Sequence, residues 1–368
     1  VSAATARLTP RAVAEPVDDA GPGLRAIGAL SRLYSKLVAE TPAVTALSPA
    51  RPRRRGGFEF EAVVDRIERE ADDVRSFLLR RPDGAALPAW RPGAHIDVTT
   101  TSGVLRQYSL SGNPVAADCY RIAVRRVVDG TASSEMHRLR EGERLRIRGP
   151  RNAFPMARAP HYLFVAGGIG ITPILSMVYA ACHQGLPWVL YYHGRSRSSM
   201  PFLGELEGLA ERGGGTLIVA DDDVDGPPGI DAILTHAKPG GALYACGPAG
   251  LSAAVRARSR VIAPNTTFHT EYFSPPPIVD GEPFEIAMQS TGERIAVGAH
   301  ESALDAVRRL RPDQAYSCRQ GFCGACVVGV VDGQPDHRDR VLGDIERGSA
   351  MTLCVSRAAL DETLTLDL

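Results

Sequence analysis

The chain has 368 residues, enough for two to four domains that each bury a core. Lys+Arg and Asp+Glu balance at 42 each, so no global field draws it to nucleic acid or to an anionic membrane. No apolar stretch is long enough to span a bilayer and no secretory leader opens the chain, so a cytoplasmic protein is expected.

Residues 1–57 form a Pro/Ala-rich extension with one amphipathic helical candidate, in which Leu24, Ile27, Leu30, Leu33, Tyr34, Leu37 and Val38 recur at helical spacing. Packing of this stripe on the chain's own domains is a simpler reading than recognition of an outside partner. The basic run Arg51-Pro52-Arg53-Arg54-Arg55 is short and Pro-interrupted, which suits a solvated linker.

Over 58–157 the sequence predicts six short strands, at 58–67, 74–79, 94–99, 105–110, 121–127 and 144–148, hence a small antiparallel barrel. Over 158–273, strands at 162–166, 188–192, 216–220, 242–246 and 267–272 alternate with helices, which predicts a parallel α/β sheet. Ser274-Pro275-Pro276-Pro277 is a stiff polyproline linker. The last segment, 278–368, holds strands at 284–288, 294–297 and 327–331 and a helix opened by a Ser302–Asp305 cap.

The most specific signal is Cys318-Arg319-Gln320-Gly321-Phe322-Cys323-Gly324-Ala325-Cys326 with Cys354 further on. C-x4-C-x2-C…C is the spacing of plant-type [2Fe-2S] ferredoxins. Gly321 and Gly324 let the backbone wrap the cluster and aim N–H groups at sulfur. A four-cysteine zinc site is the alternative, but such sites usually show two C-x2-C pairs and here there is one. The chain has seven cysteines, an odd number, and this late grouping suits an intracellular metal site and not a disulfide framework. Cys119 and Cys182 read as buried small hydrophobes.

Arg106-Gln107-Tyr108-Ser109 lies on a barrel strand, with Arg106 and Tyr108 sharing a face. Tyr108 there suits packing on an isoalloxazine ring, Arg106 a phosphate, and Ser109 a hydrogen bond near flavin N5. Gly130-Thr131-Ala132-Ser133-Ser134 precedes a short helix and suits an anion, although Ser133 or Ser134 as a plain helix cap fits equally. His137 in that helix reads as structural.

Gly167-Gly168-Ile169-Gly170-Ile171-Thr172-Pro173 runs from strand to helix, with Thr172 expected at the N-cap and Pro173 at the first helical position. Its glycines would admit a pyrophosphate at the positive helix end. Cys246-Gly247-Pro248 ends a later strand and faces the same crevice. Arg195 and Arg197 follow the second strand, either beside an adenosine ribose or as solvated charges, so NADH and NADPH both stay open.

In this order the motifs resemble the phthalate dioxygenase reductase family, which includes the vanillate demethylase reductases. The resemblance covers residues 58–368 and rests also on Gly149-Pro150-Arg151-Asn152-Ala153-Phe154-Pro155 and His269-Thr270-Glu271-Tyr272-Phe273. It implies a six-stranded flavin-binding β-barrel, an α/β nicotinamide domain and a β-grasp ferredoxin domain. It implies FMN in preference to FAD, with Arg106 and the Ser133/Ser134 region on the phosphate and Tyr108 and Ser109 on the ring. Cys246 would lie near the nicotinamide, and Phe273 would cover the flavin face.

The resemblance implies an electron-transfer reductase. Hydride would pass from NADH (or NADPH) to flavin, and single electrons to a cluster at about −400 mV. A transient oxygenase partner is expected, Rieske-type or cytochrome P450, guided by charges near the cluster loop: Arg319, Asp336, His337, Arg338 and Asp339. The alternatives are an NAD(P)H oxidase or small-acceptor reductase without a dedicated partner, and a non-enzymatic redox sensor.

Overall fold

The first strand, β1 (Glu59–Ala71), pairs antiparallel with β2 (Val74–Arg80) and shifts register between Val64 and Arg66 and again between Arg69 and Ala71. These bulges carry it through the charged stretch 65–70, where alternation lapses and the sequence alone predicts an earlier end. With β3 (Ala94–Thr99), β4 (Leu105–Ser109), β5 (Tyr120–Arg125) and β6 (Arg144–Asn152) it forms a six-stranded antiparallel sheet, ordered β4-β3-β6-β1-β2-β5. A bridge between Leu110 and Ile122 joins the two edges and closes the sheet around Val64, Phe77, Ile96, Ile122 and Ile147. The fold is taken from a computed structural model, which describes residues 59–116, 118–273, 278–316, 318–359 and 362–368. The expected N-terminal helix and the 274–277 linker lie outside the described residues.

Strand β6 continues past its expected end at 148. Gly149 and Pro150 carry no ladder partner, because β3 shifts register opposite them, between His95 and Asp97. Proline is tolerated there since its missing N–H falls at a bulge. Beyond β6 the chain crosses to the next sheet: Asn152 donates from Nδ2 to Pro92 O (2.8 Å), and the Phe154 ring meets Tyr244 at 5.3 Å.

After the short helix α1 (Thr131–Met136), the second sheet contains β7 (Tyr162–Gly167), β8 (Trp188–Gly194), β9 (Thr216–Asp221), β10 (Ala242–Cys246) and β11 (Thr267–Glu271). All pairs are parallel and the order is β11-β10-β7-β8-β9. Helices α2 (Ile171–His183), α3 (Leu203–Gly213), α4 (Ile230–Leu234) and α5 (Ala249–Ile262) connect the strands. Every residue of β7 is buried, as a strand covered on both faces requires. The chain leaves β7 for β8 on one side and returns to β10 on the other, so the crevice of an open parallel sheet falls between the ends of β7 and β10.

Arg121 of β5 fastens the barrel to this sheet. It donates to both oxygens of Glu205 on α3 (2.9 and 2.7 Å) and to Ser111 O (2.7 Å), and it lies 4.7 Å from the Phe202 ring centroid. Tyr179 donates its hydroxyl to the same carboxylate. The pair is mostly buried, so losing one partner strands a charge. Arg121→Ala is expected to lower stability by roughly 2–4 kcal/mol, and Arg121→Lys to recover only part, because a lysine lacks the fork. Urea unfolding of the three proteins checks this.

The third sheet contains β12 (Phe284–Met288), β13 (Arg294–Val297), β14 (Val327–Asp332), β16 (Ala350–Thr352) and β18 (Thr363–Leu366), ordered β13-β12-β18-β14-β16. A separate two-stranded ladder pairs β15 (Pro335–Asp336) with β17 (Arg357–Ala358). Only β12 and β18 run parallel. The sheet wraps helix α6 (Ala303–Leu310), whose Leu304 and Val307 bury against Ile286 and Leu364. The expected cap is present, with Asp305 N donating to Ser302 Oγ (3.1 Å). The short helix α7 (Asp344–Arg347) follows β15.

Candidate functional site

A cavity of about 500 Å³ opens where the three sheets meet. Strand β4 supplies one wall, with Arg106, Gln107, Tyr108 and Ser109 all on it. Burial pushes the Tyr108 hydroxyl up to about 12, so it stays protonated. Arg106 is exposed and forms no ion pair among the described residues; its Nη1 donates to the Leu105 carbonyl (2.9 Å). Ser109 is buried at the inner end of the strand.

A second wall is the turn into α1. Gly130 and Ser133 reach the cavity, whereas Ser134 does not. The expectation of a serine cap is corrected, since Gly130 is the N-cap and no side chain caps the helix. Ser133 Oγ accepts from Val127 N and donates to Gly130 O, both at 3.1 Å, and so braces the turn. His137 is structural as expected, its Nε2 2.9 Å from Val124 O.

The Gly-rich turn departs from expectation. A 3-10 turn over Gly168–Gly170 precedes α2, so Gly170 is the N-cap and Thr172 lies inside the first turn, its hydroxyl donating to Ile169 O (3.0 Å). Pro173 follows Thr172 within that turn, where a missing N–H is still harmless. The glycines here serve the chain itself. A Cβ on Gly170 would sit 2.3 Å from the Cys246 carbonyl oxygen, and one on Gly167 would sit 2.6 Å from Pro248 Cδ. The turns after β7 and β10 thus approach backbone to backbone at the crevice. Of this set only Thr172 lines the cavity; Gly167, Gly168, Gly170, Pro173, Cys246, Gly247 and Pro248 do not. Arg195 is exposed beyond the end of β8, and Arg197 pairs with Glu207 (3.0 Å).

Cys246 is buried, and burial together with Glu271 pushes its thiol well up. Glu271, its ladder partner on β11, is the group that lines the cavity. Burial raises its carboxyl to about 8, and Oε2 has no hydrogen-bond partner among the described residues. Phe273, two residues on, lines the cavity mouth and is 47 % exposed.

The cysteine loop forms the third wall, through Cys318, Arg319 and Gln320. Cys318 contacts the thiols of Cys323 and Cys354, and Cys354 that of Cys326, so the four sulfurs form a chain of neighbours. Among the described residues no group of three or more His, Cys, Asp or Glu converges as a single ion requires. Gly321 and Gly324 adopt φ of +76° and +72°, and the backbone turns N–H groups to sulfur: Gln320 N to Cys318 Sγ at 3.3 Å and Cys318 N to Cys323 Sγ at 3.4 Å. Gln320 also donates to Tyr272 O, tying the loop to the end of the parallel sheet.

The charges expected to guide docking are largely spoken for within the chain. Arg319 pairs with Asp305 and Arg338 with Asp336. Asp339 is buried and accepts from Val341 N (3.0 Å) and Leu342 N (2.8 Å), which corrects its assignment as a surface charge.

Sequence reasoning missed four cavity residues: His95 on β3, Arg125 on β5, Glu271 and Tyr316. Arg125 reaches from the barrel to Ser199 O (3.1 Å) and lies over Gly168. The sequence does mark Glu271 within the run His269-Thr270-Glu271-Tyr272-Phe273, with no role attached to it.

Comparison with known proteins agrees with this architecture. Residues 61–155 match the family model described as oxidoreductase FAD-binding domain, and residues 286–359 match the 2Fe-2S iron-sulfur cluster binding domain. The chain is therefore an oxidoreductase with a flavin-binding domain and a 2Fe-2S domain. It is 35% identical to phthalate dioxygenase reductase of Burkholderia cepacia, over 82% of this chain and 95% of that protein. A solved phthalate dioxygenase reductase superposes with a TM-score of 0.62 at 32% identity, covering 84% of this chain and 98% of the other. The chain belongs to the phthalate dioxygenase reductase family.

It is also 37% identical to a putative toluene-4-sulfonate monooxygenase system reductase subunit of Comamonas testosteroni, over 81% of this chain and 96% of that one. An intact type IV self-sufficient cytochrome P450 monooxygenase superposes with a TM-score of 0.68 at 34% identity, over 90% of this chain. The chain spans only 45% of that protein's length. No helix among the described residues is long and apolar enough to cross a membrane.

Proposed function

We propose that the chain is the reductase component of an oxygenase system, drawing electrons from a nicotinamide and delivering them singly to a terminal oxygenase, Rieske-type or cytochrome P450, in the cytoplasm. The observation that carries this reading is the shared cavity, whose walls come from the flavin-binding barrel, the end of the parallel sheet and the cysteine loop. The division is 58–157 for flavin, 158–273 for nicotinamide and 278–368 for the cluster. Support for the oxygenase partner comes from the reductase subunits and the P450 that the chain resembles.

The residues fit the groups. The four neighbouring thiols with backbone N–H groups aimed at them suit two irons and their sulfides, with Cys318, Cys323, Cys326 and Cys354 as ligands. The cavity and its β4 wall suit a flavin, Tyr108 and Ser109 against the ring and Arg106 near the phosphate. FMN is preferred to FAD on the order of the domains. When bound, the flavin takes a hydride and the cluster takes electrons one at a time.

The chain's own part is positional. The crevice between β7 and β10, with Gly167, Gly168, Gly170, Thr172, Gly247 and Pro248, holds the dinucleotide. Cys246 and Glu271 close its inner end, both pushed toward their neutral forms by burial. Phe273 shields the cavity mouth from water. Arg195 stands where an adenosine would extend, and NADH is the expected donor.

Anaerobic titration of purified protein with NADH and then NADPH tests the proposal. Bleaching of both flavin and cluster absorbance, with FMN in the acid extract, is expected. Absorbance unchanged by excess of either nucleotide, or zinc in place of iron, would overturn it.

A further inference from the structure

His95 lies on β3 at the register shift against β6, and its side chain is driven into the contact between the barrel and the cysteine loop. It is 3% exposed, and neither ring nitrogen has a hydrogen-bond partner among the described residues. Both nitrogens are closed off from solvent, so cavity water does not satisfy them. Leaving a buried imidazole N–H without an acceptor costs about 1–3 kcal/mol, so an unpaired one calls for an explanation.

The neighbours show where an acceptor would stand. The imidazole meets the Phe322 ring edge-on, with centroids 6.0 Å apart and planes at 68°. Phe322 lies inside the cysteine loop, and Cys318 of that loop borders the same cavity as His95. Cys318 is also near enough to act electrostatically on the imidazole. The adjacent charged groups are engaged with each other, Arg151 with Asp97.

We propose that His95 is a positioning residue for electron transfer, its imidazole N–H donating, once the cluster is bound, across the barrel–ferredoxin contact to the Cys318 sulfur at the cluster edge facing the flavin cavity. This rests on the assignment of the cluster to the four cysteines. A donor at a cluster sulfur stabilises the more negative, reduced cluster and raises its potential. It also holds the cysteine loop against the barrel, so the two redox sites keep one separation.

The test uses the fully loaded protein with ¹⁵N-labelled histidine, read by pulsed EPR of the dithionite-reduced cluster, beside His95→Phe and His95→Gln. Phenylalanine keeps a ring against Phe322 but donates nothing, whereas glutamine restores an N–H. The wild type is expected to show one histidine nitrogen coupled to the cluster. His95→Phe is expected to lose that coupling and shift the cluster about tenfold toward its oxidised form at fixed potential, which is about 59 mV for one electron. His95→Gln should recover most of that shift. No nitrogen coupling in the wild type, or a cluster potential unchanged in His95→Phe, would overturn the proposal. The labelled wild type decides the matter even if the variants misfold. A preparation with no [2Fe-2S] signal at all would instead end the assignment of the cluster.

Discussion

Cys326→Ser is expected to cut electron delivery to a one-electron protein acceptor such as cytochrome c by about a hundredfold or more. Loss of groups that merely support ligands already costs 10–100-fold in metal sites, and here one of the four proposed ligands is itself exchanged. Cys326 is buried, its thiol neighbours that of Cys354, and its carbonyl accepts from Leu353 N (3.1 Å). The backbone therefore holds the side chain at one place, and a harder, shorter-reaching hydroxyl is a poor substitute for a thiolate. Iron and sulfide content per chain, measured with acceptor turnover, checks the expectation. Cys119→Ser is the control: this half-buried thiol is raised by burial and lies on the approach to β5, outside the four neighbouring cysteines. Full cluster content and turnover are expected for it.

Glu271→Gln is expected to stabilise the flavin-free protein at alkaline pH and leave it unaltered in acid. The folded carboxyl titrates at about 8 against 4.5 for the ordinary group, with burial as the cause. The folded chain therefore holds a proton that the unfolded chain releases between those values. Stability from this group is complete below pH 4.5 and falls as pH rises through 8. At roughly 1.4 kcal/mol per pH unit, the loss by pH 9 is about 3–5 kcal/mol in order of magnitude. Glutamine has no proton to lose, so the variant should gain about that much over the wild type at pH 9 and nothing at pH 4. Urea unfolding at the two pH values measures it.

These groups differ in how they could be found. Cys318, Cys323 and Cys326 are legible from spacing alone, because one short loop folds around its own ligands and needs little else. The strands of the first two sheets are legible for a related reason, since alternation and burial on both faces are properties of a local backbone, whereas the short β16 and β18 of the third sheet escaped the sequence reading. The Arg106-Gln107-Tyr108-Ser109 strand falls where its motif placed it, and the Ser302 cap is a contact between residues three apart. Local reading failed first at backbone punctuation. Charged residues in β1 and the Gly149-Pro150 pair in β6 looked like strand ends, yet bulges carry both strands through. Thr172 looked like a cap until a 3-10 turn displaced it.

What only the tertiary structure decided is which distant ends meet. His95, Arg125 and Glu271 come from three strands of two sheets, and no periodicity relates them. The glycines at 167 and 170 are required by the backbone of Cys246-Gly247-Pro248, a stretch some eighty residues away. Asp339, read as a surface charge, is buried because its Oδ2 accepts from two successive N–H groups of a turn, Val341 and Leu342. Sequence thus determined the local elements and the close grouping of Cys318, Cys323 and Cys326, whose causes lie within a few residues of each other. Packing decided the cavity, because a side chain's neighbours across a seam depend on strand order, bulges and the approach of whole sheets.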